Sequence, residues 1–536
     1  MNSARTRLPA AIASGVMLGV CFPSLYLGLL GYVAFVPLLL AIRGLRPRSA
    51  AGYGWAAGIA FFMTANYWIP DTISNFTSIP PVAAKVLLVM MSAVGCYGHV
   101  VFAAGLEWLA ARGVSRLLAA PALWVVCEWM RTFVIAEFPW SLLGYSQIPY
   151  GPLAQAADLG GVYLLSAVLM LTSAAIAEAT FARGGRALRY AVLAALCPVL
   201  LYGYGHWRLA EMQQIPYTGS IRVAAVQGNI AQDQKWDKEL SDRILEKYLR
   251  LSGQAADAGA KLVVWPEAAL PFYMQRDLRS MKLVKLARER SIDLLVGAPG
   301  LEQRPGRGVQ PYNQAWLIRA DGRVEGPYDK IQLVPFGEYI PLYGLFGMVD
   351  IAVQSVGQFG RGTEHTVFDT VDLAPVEQAD GSAPPALRPA RFGTLICYEG
   401  IFPSLTRKFA VAGADLLVNI SNDAWYGDTS APHQHLGMAA MRAIENRRPL
   451  VRSTNTGISA FVTDEGRIGP TSVLFEEEVV VETVLVREVW SFYREYGDVF
   501  LYACQALVAL LVLIAFNPRG IFPASWQELS QKSARE

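Results

Sequence analysis

The chain has 536 residues, which is too long for one ordinary domain. It is 53% hydrophobic and only 17% charged, whereas a typical soluble domain has about 25% charged residues. The formal net charge is +2, and no block of Lys and Arg with interleaved aromatic residues points to nucleic acid. The composition argues against a soluble nucleic-acid-binding protein and favours a chain with segments inside a lipid bilayer.

Eight apolar runs are nearly free of charge, and each is close to the roughly 20 residues needed to cross a bilayer. Seven precede a long polar segment and one follows it: 8–24, 26–42, 50–68, 81–110, 117–135, 155–182, 187–207 and 499–516. The first run lacks an A-x-A-like cleavage site, and a second apolar run follows at once. We therefore interpret it as a retained anchor rather than a signal peptide. The sequence predicts a membrane α-helical bundle of eight transmembrane helices.

The positive residues of the short loops predict the orientation of these helices. These residues lie before the first span and after every second span, so they are all on the same face of the membrane: Arg5, Arg7, Arg43, Arg46, Arg48, Arg112, Arg116, Arg183, Arg186, Arg189, Arg519, Lys532 and Arg535. By the positive-inside rule both termini are cytoplasmic, and the long segment 208–498 lies on the outer face, which in a bacterium is the periplasm. We accordingly expect a seven-helix region at 1–212, an outer domain at 213–490, and an eighth helix with a cytoplasmic tail at 491–536.

In the outer domain, short apolar strands alternate with amphipathic helices. Strands are predicted at 221–230, 261–269, 292–299, 391–399 and 414–423, and helices at 238–258, 277–290, 401–412 and 433–447. The stretch "YNQAWLIRADGRVEGPYDKI" at 312–331 has the pattern of a hairpin with "ADGR" as its turn. This alternation predicts an α/β sandwich.

Cys397, at the end of the predicted strand 391–399, is the only cysteine of the outer domain. The other five lie in the apolar runs, where a thiol is most simply a small hydrophobe: Cys21, Cys96, Cys127, Cys197 and Cys504. Cys397 therefore has no partner for a disulfide in its own domain. From its position alone, a buried structural cysteine and a reactive thiol are equally supported.

Two charged residues also follow predicted strands, Glu267 after "KLVVWP" and Lys330 after "PYD". The carboxyl ends of strands in an open α/β sheet are where ligands collect. Because the thiolate is the reactive form of cysteine, a carboxylate that takes the proton and an ammonium that stabilises negative charge both help a nucleophilic thiol. Each residue alone is an ordinary surface charge, but with Cys397 they predict a catalytic site.

The settings of these residues, "WPEAALP", "YDKIQLVPFGEYIP" and "LICYEGIFP", resemble the Glu–Lys–Cys triad of the nitrilase superfamily. With seven spans before the outer domain and one after it, the chain resembles the apolipoprotein N-acyltransferase family. Further matches are "VQGNIAQDQKWD", "NDAWYG" and "FPW". The resemblance implies a nitrilase-like α-β-β-α sandwich, a multi-pass protein of the bacterial inner membrane, and no metal or organic cofactor.

The resemblance also implies a role for each site residue. Glu267 is then the general base, Cys397 the nucleophile, and Lys330 the oxyanion stabiliser, assisted by the backbone N–H of Tyr398. Glu338 is expected to orient Lys330 or to assist proton transfer. The family needs three further positions for activity, which correspond to Trp236, Tyr398 and Glu399.

The implied reaction is a ping-pong acyl transfer. Cys397 takes a fatty acyl chain from a membrane phospholipid, for which phosphatidylethanolamine is the expected donor. The α-amine of the diacylglyceryl-modified N-terminal cysteine of an apolipoprotein then accepts the chain. Two alternatives are a membrane-anchored nitrilase-like amidohydrolase with water as acceptor, and a transporter or scaffold with an inactive domain. Eight spans and an apolar cover argue against the first, and the intact triad argues against the second.

The segment 339–362, directly after Glu338, is apolar and rich in glycine. We interpret it as a mobile, membrane-facing lid, the alternative being an ordinary helix and loop packed on the core. Trp140 is equally well explained as an interfacial anchor or as a residue lining a lipid entrance. The candidate lipid or lid contacts are Tyr343, Leu345, Phe346, Met348, Trp425 and Trp140.

Two other groups of polar residues are candidates for a functional role. His433 and His435 are two residues apart, so they point to different faces of a helix, and no Cys or carboxylate pair completes a metal site. No metal site is therefore predicted. Three acidic residues lie near the ends of apolar runs, where an interfacial structural role is at least as well supported as a functional one: Glu107, Glu128 and Asp158.

Overall fold

The structure is a computed structural model that describes residues 4–23, 27–134, 137–304, 308–335, 337–339, 359–376 and 388–516. Its N-terminal part is a bundle of helices that follows the apolar runs of the sequence. The bundle contains short 3-10 helices at Gly28–Tyr32 and Leu143–Ala154 and the α-helices α1 (Ala4–Gly19), α2 (Val36–Ile42), α3 (Pro47–Ala65), α4 (Ile69–Phe76), α5 (Pro81–Gly95), α6 (Tyr97–Ala110), α7 (Arg116–Met130), α8 (Ala157–Ala179) and α9 (Gly185–Met212).

Four helices among the described residues are long and apolar enough to cross a membrane: Pro81–Ala110, Ala157–Ala179, Gly185–Met212 and Val499–Phe516. These four match four of the eight predicted spans. The predicted run 81–110 consists of α5 and α6, which meet at Cys96. In the described part of the run 26–42, the helical residues form a five-residue 3-10 helix and the seven-residue α2, separated by residues 33–35.

One end of the bundle collects the charged side chains of the short loops. Arg43 forms an ion pair with Glu178 at the end of α8. Arg116 donates to Glu107 at 2.7 Å, and the backbone N–H of Gly44 donates to the same carboxylate at 2.9 Å. Glu107 therefore has a structural role here, since it ties together the loops that the sequence places on one membrane face.

The described residues of the α/β domain form two six-stranded sheets, ordered β12-β1-β2-β3-β4-β5 and β11-β10-β9-β8-β7-β6. Their central pairs β1–β2, β2–β3, β7–β8 and β8–β9 are parallel, and the outer pairs are antiparallel. The strands are β1 (Gly219–Gln227), β2 (Leu262–Val264), β3 (Asp293–Arg304), β4 (Gly308–Ile318), β5 (Val324–Asp329), β6 (Val367–Asp372), β7 (Pro389–Ile396), β8 (Leu416–Ser421), β9 (Leu450–Thr454), β10 (Ala460–Val462), β11 (Ile468–Thr471) and β12 (Glu478–Val486).

Helices cover the outer faces of both sheets. The remaining helices are α10 (Ser241–Asp257), α11 (Ser280–Arg290), α12 (Pro403–Val411), α13 (Ala431–Asn446), α14 (Phe492–Tyr496) and α15 (Val499–Phe516). Helices α10 and α11 pack on the first sheet, and α12 and α13 pack on the second. Between the sheets, the Ser453 hydroxyl donates to the carbonyls of Val226 and Val264 at 3.1 and 2.9 Å. The domain is therefore an α-β-β-α sandwich, and the predicted β4–β5 hairpin is confirmed.

The bundle and the sandwich share one hydrophobic core, which runs from the helices through α13 to the space between the sheets. Charged side chains are buried at this junction as well. Asp158 of α8 accepts from Arg208 of α9 and from Arg447, directly after α13, at 2.7 Å each. An unpaired buried charge is costly, so these three side chains stabilise the fold only together. Asp158 thus has a structural role, since it links α13 to the bundle.

Candidate active site

The candidate nucleophile lies on a strained turn. Strand β7 ends at Ile396, and Cys397 opens a short 3-10 helix, Cys397–Ile401, with φ of +52°. A non-glycine residue adopts this left-handed conformation only where its surroundings hold it. The side chain is 5% exposed. The turn therefore presents one thiol at the carboxyl end of a parallel strand, where open α/β sheets place their sites.

Two side chains beneath the turn hold the carbonyl oxygen of Cys397. Asn419 on β8 donates to it at 3.3 Å and also to the carbonyl of Leu395 at 3.0 Å. His435 on α13 places Nε2 at 3.2 Å from the same oxygen. Because a carbonyl can only accept, Nε2 carries the proton. His435 was not predicted as a site residue, since its link to Cys397 depends on how α13 packs.

His435 is itself fixed from below by a buried ion pair. Its Nδ1 lies 3.0 Å from Arg452 Nη2 and 3.2 Å from Asp423 Oδ1, and Arg452 also pairs with Asp423 at 2.8 Å. Burial and the Arg452 guanidinium lower the pKa of His435. The ring is thus neutral, with Nδ1 accepting from Arg452. Among the described residues, no group of three or more His, Cys, Asp or Glu side chains is arranged to hold a metal.

Glu267 and Lys330 meet beside this turn, although they come from different strands. Glu267 follows β2 and Lys330 follows β5, and Lys330 Nζ donates to Glu267 Oε1 at 3.1 Å. Lys330 Nζ also donates to Glu338 Oε1 at 2.9 Å. Asn313 on β4 donates to Glu267 Oε1 at 2.6 Å, and the backbone N–H of Asn422 donates to Oε2 at 2.9 Å. Both Glu267 oxygens are therefore fixed.

The protonation states follow from burial and from the charges that oppose it. Burial alone raises the pKa of Glu267, but Lys330 and Lys235 outweigh it and hold that pKa below its ordinary value. Burial alone lowers the pKa of Lys330, but Glu267 and Glu338 raise it well above its ordinary value. Burial, followed by the charge of Glu267, raises the pKa of the Cys397 thiol, which Lys330 offsets only in part. The site thus combines a carboxylate, an ammonium and a neutral thiol.

Lys235 is a site residue that the sequence did not single out. It is 2% exposed, and its Nζ donates to the backbone carbonyl of Glu267 at 3.0 Å. Burial lowers its pKa to about 8, although the charges of Glu267 and Cys397 oppose the shift. Its neighbour Trp236, which was predicted as a supporting residue, is 52% exposed. The motif "QKWD" indicated that this segment belongs to the site, but it did not indicate that Lys235 is buried and Trp236 exposed.

Glu399 lies under the turn rather than at the reacting atoms. Its carboxylate accepts from the Tyr328 hydroxyl at 2.8 Å and from the backbone N–H groups of Ile331, Gln332 and Ile396 at 2.6, 3.1 and 2.6 Å. One carboxylate therefore joins the segment that carries Lys330 to the segment that carries Cys397. Burial raises the pKa of Glu399 to about 7, against these hydrogen bonds, which lower it.

Tyr398 links the turn to the membrane region. Its side chain is 2% exposed, and its hydroxyl donates to the backbone carbonyl of Glu137 at 2.9 Å. The Glu137 carboxylate in turn accepts from Gln332 and, at 3.4 Å, from Arg361. The loop after α7 thus contacts both sides of the candidate active site.

The three groups of candidate lipid contacts differ in where they lie. Trp140 is 1% exposed, and its indole N–H donates to Gln434 Oε1 at 2.6 Å, so it is a buried link to α13 rather than an interfacial anchor. Trp425 is 39% exposed and packs edge-on against Phe76 of α4. The others lie outside the described residues: Tyr343, Leu345, Phe346 and Met348.

Comparison with known proteins places the chain in a family. The carbon-nitrogen hydrolase family model matches residues 222–492, and the model of the apolipoprotein N-acyltransferase N-terminal domain matches residues 14–175. An apolipoprotein N-acyltransferase of Geobacter metallireducens is 38% identical over 523 residues, which is 95% of each chain. One of Brucella suis is 33% identical over 489 residues, or 86% of each.

The chain belongs to the apolipoprotein N-acyltransferase family. As a member of this family, it is an acyltransferase. Its long apolar helices, together with the family, indicate a membrane protein. Among solved structures, an amidase of the nitrilase superfamily from Nesterenkonia aligns with 54% of this chain and 98% of its own. That alignment has 21% identity and a TM-score of 0.38.

Proposed function

We propose that this protein transfers a fatty acyl chain from a membrane phospholipid, through a thioester on Cys397, to apolipoproteins. The acceptor is the α-amine of their diacylglyceryl-modified N-terminal cysteine. The observation that carries the proposal is the buried Glu267–Lys330 pair beside the strained Cys397 turn, in a chain that belongs to this acyltransferase family. Phosphatidylethanolamine is the expected donor.

In the first half-reaction, Glu267 takes the proton of the Cys397 thiol while the sulfur attacks the ester carbonyl of the phospholipid. This order suits the site, because the thiol is neutral at rest and the carboxylate is ionised. The C–S bond forms and the ester C–O bond breaks. Glu267 then returns the proton to the leaving alkoxide, so a lysophospholipid departs and the acyl chain stays on Cys397.

In the second half-reaction, the α-amine of the acceptor attacks the thioester. Glu267 takes the proton that the amine loses, the C–S bond breaks, and the products are an amide and the Cys397 thiolate. The thiolate then recovers the proton from Glu267. Water as acceptor gives the hydrolase reaction instead, so an apolar cover over the thioester favours transfer.

Lys330 is the oxyanion stabiliser in both half-reactions. The negative charge that develops on the carbonyl oxygen lies next to an ammonium that is already desolvated, so no solvent has to reorganise. Glu338 holds that ammonium from the other side at 2.9 Å. The backbone N–H of Tyr398, next to the sulfur, is the expected second donor to the oxyanion.

We also propose that all eight apolar runs cross the bacterial inner membrane, with both termini cytoplasmic and the α/β domain in the periplasm. The loops that carry the arginines meet at one end of the bundle, around Glu107 and Glu178. The loops that contact the α/β domain come from the other end, for example through Tyr145, whose hydroxyl donates to the Ile401 carbonyl at 3.2 Å. This division supports the orientation that the positive residues predict.

Intact-mass spectrometry of the purified full-length protein in phosphatidylethanolamine tests the chemistry. We expect a fatty-acyl mass increment that maps to Cys397 and is absent in Cys397→Ala. The matched control Cys504→Ala removes a thiol from α15 and should keep the increment. Addition of a diacylglyceryl peptide should then discharge the enzyme and yield an N-acylated peptide.

Two results contradict the proposal. No increment on Cys397 in the presence of phospholipid rules out the thioester. An increment that is released only as free fatty acid, with no acylated peptide, identifies a hydrolase. In cells, Cys397→Ala should abolish activity, whereas a scaffold with an inactive domain predicts full activity.

A further inference from the structure

A cavity of about 410 Å³ lies away from Glu267, Lys330 and Cys397, at the junction of the bundle and the α/β domain. It is bounded by the ends of α1 and α9, by the 3-10 segment Leu143–Ala154, by α13 and by the start of β11. Its walls are mainly apolar, and include Phe22, Tyr145, Ile148, Leu209, Leu436 and Met438. Its volume falls within the range of roughly 300–1,000 Å³ that is usual for ligand pockets.

Helix α13 separates this cavity from the nucleophile. His435 contacts the carbonyl of Cys397, while His433 and Gly437, two residues away in each direction and so on the opposite helix face, line the cavity. None of Glu267, Lys330 and Cys397 lines it. The cavity is therefore a separate site, although the same helix forms a wall of both.

The cavity lies at the level of the outer membrane interface. On α9, Tyr202 and Trp207 are 54% and 58% exposed and precede Leu209 of the cavity wall by about two turns and half a turn. Exposed Tyr and Trp side chains on membrane helices concentrate at the headgroup level. In the proposed orientation, the cavity is therefore beside the headgroups of the outer leaflet.

The polar rim suits an anionic headgroup. Arg467, just before β11, is exposed and lines the cavity, and it makes no ion pair with any residue that the structure describes. The two carboxylates of the same turn, Asp464 and Glu465, both pair with Arg487, at 2.7 and 2.8 Å. A guanidinium in this position can form two parallel hydrogen bonds to a phosphate.

We infer that this cavity binds one acyl chain of a resident outer-leaflet phospholipid, whose phosphate lies against Arg467. Protein interiors contain few voids larger than a water molecule, and apolar cavities do not hold water well, so an apolar occupant fits the lining. The inference rests on the membrane orientation proposed above and not on the thioester chemistry.

Gly437 allows a direct test, because a Cβ added there meets no atom within 4 Å. Gly437→Leu therefore adds an apolar side chain at the cavity wall from a Cβ that has open space, and it removes a poor helix former from α13. Gly437→Ala makes the same backbone change but leaves the cavity open. Gly203→Leu adds the same side chain at an equally open position on the exposed face of α9 and controls for added apolar surface.

The full-length variants are placed in phosphatidylcholine nanodiscs doped with a phosphatidylethanolamine that carries a diazirine at its chain end, without any lipopeptide. After illumination, crosslinked peptides are mapped by mass spectrometry. We expect crosslinks at Phe22 and at 436–444 in the wild type, Gly437→Ala and Gly203→Leu, and their loss in Gly437→Leu. Arg467→Gln should lower the yield of the same crosslinks.

Absence of these crosslinks in the wild type overturns the inference, and so does their persistence at full yield in Gly437→Leu. If Gly437→Leu does not purify as a folded protein, Ile468→Trp fills the cavity from the opposite wall and must give the same loss. Acylation of wild-type Cys397 is scored in the same samples. Cavity crosslinks without acylation reject only the thioester, and acylation without cavity crosslinks rejects only this site.

Discussion

Lys330 Nζ lies 3.1 Å from Glu267 Oε1, and both side chains are almost completely removed from solvent. The two residues are 63 positions apart in the chain and follow different strands of one sheet. A buried ion pair of this kind contributes little net stability, since desolvation offsets the attraction, but it fixes two opposite charges at one point. In the proposed reaction, the carboxylate takes the proton of the neutral thiol, and the ammonium stabilises the negative charge that develops on the oxygen of the carbonyl under attack.

Glu267→Gln should slow the formation of acyl-Cys397 by about 100-fold to 10,000-fold, because removal of a general base typically costs that much. The amide still fills the same space between Asn313 and Asn422, so the protein should stay folded. The rate is measured by intact mass after mixing with phospholipid. Glu246→Gln, on the exposed face of α10, is the matched control and should react like the wild type. A rate within a few-fold of wild type for Glu267→Gln removes this residue from the mechanism.

Lys330→Met should destabilise the protein by about 3–5 kcal/mol, because it removes the cation that pairs with both Glu267 and Glu338. Thermal unfolding in detergent, followed by tryptophan fluorescence, measures the shift in Tm. Lys282→Met removes an exposed pair with Glu246 and should leave Tm unchanged. Equal Tm values for the two variants contradict the buried pair.

His435→Asn should lower kcat for acylation by about 100-fold with little change in KM. His435 holds the carbonyl of Cys397 and not the lipid, and a displacement of about 1 Å at the reacting atom can cost that much. Steady-state kinetics with a short-chain phospholipid separates the two constants. His206→Asn, on the exposed face of α9, is the control. A variant whose KM rises while kcat stays constant indicates that His435 contacts substrate instead of positioning the nucleophile.

Glu399 should make the stability of the fold depend on pH. Its folded pKa of about 7 lies above its ordinary value of 4.5, so the native state favours the protonated form. The raised pKa therefore adds to the free energy of unfolding. This stabilisation is complete below the unfolded pKa and is lost as the pH rises through about 7. The Tm difference between the wild type and Glu399→Gln should therefore narrow from about pH 5 to pH 8. Glu289→Gln, on the surface, controls for the general effect of pH. If the Tm difference between the wild type and Glu399→Gln stays constant over this pH range, the raised pKa of Glu399 is contradicted.

Trp236→Ala should raise KM for the lipid substrates by about tenfold to a hundredfold without changing Tm. The side chain is 52% exposed, so it is free to be covered by an alkyl chain, and burial of a large side chain is worth about 1.5–3 kcal/mol. Trp490→Ala removes an equally exposed tryptophan, 53%, and is the matched control. A large loss of Tm for Trp236→Ala alone assigns this residue to the fold rather than to substrate binding.

The sequence predicted β1, β2, β3, β7 and β8, the β4–β5 hairpin, and the position of Glu267, Lys330 and Cys397 after strands, because those signals are local. It did not predict β6 or β9 to β12. It did not reveal Lys235, Asn313 or His435. Their side chains act on the site through pairings between distant segments, which no local pattern encodes. Trp140 illustrates the same limit, since a tryptophan after a proline in an outer loop gives no sign that Gln434, nearly 300 residues later, will accept its N–H.

The hydroxyl of Tyr398 donates to the backbone of Glu137, so the residue beside the nucleophile is held by an atom from outside the α/β domain. A fragment of residues 213–490 therefore retains Glu267, Lys330 and Cys397. It loses the hydrogen-bond partner of Tyr398 and the bundle residues against which α13 packs. Removal of the helix bundle is thus expected to disturb the turn that positions the Cys397 sulfur, and not merely to release a soluble α/β domain.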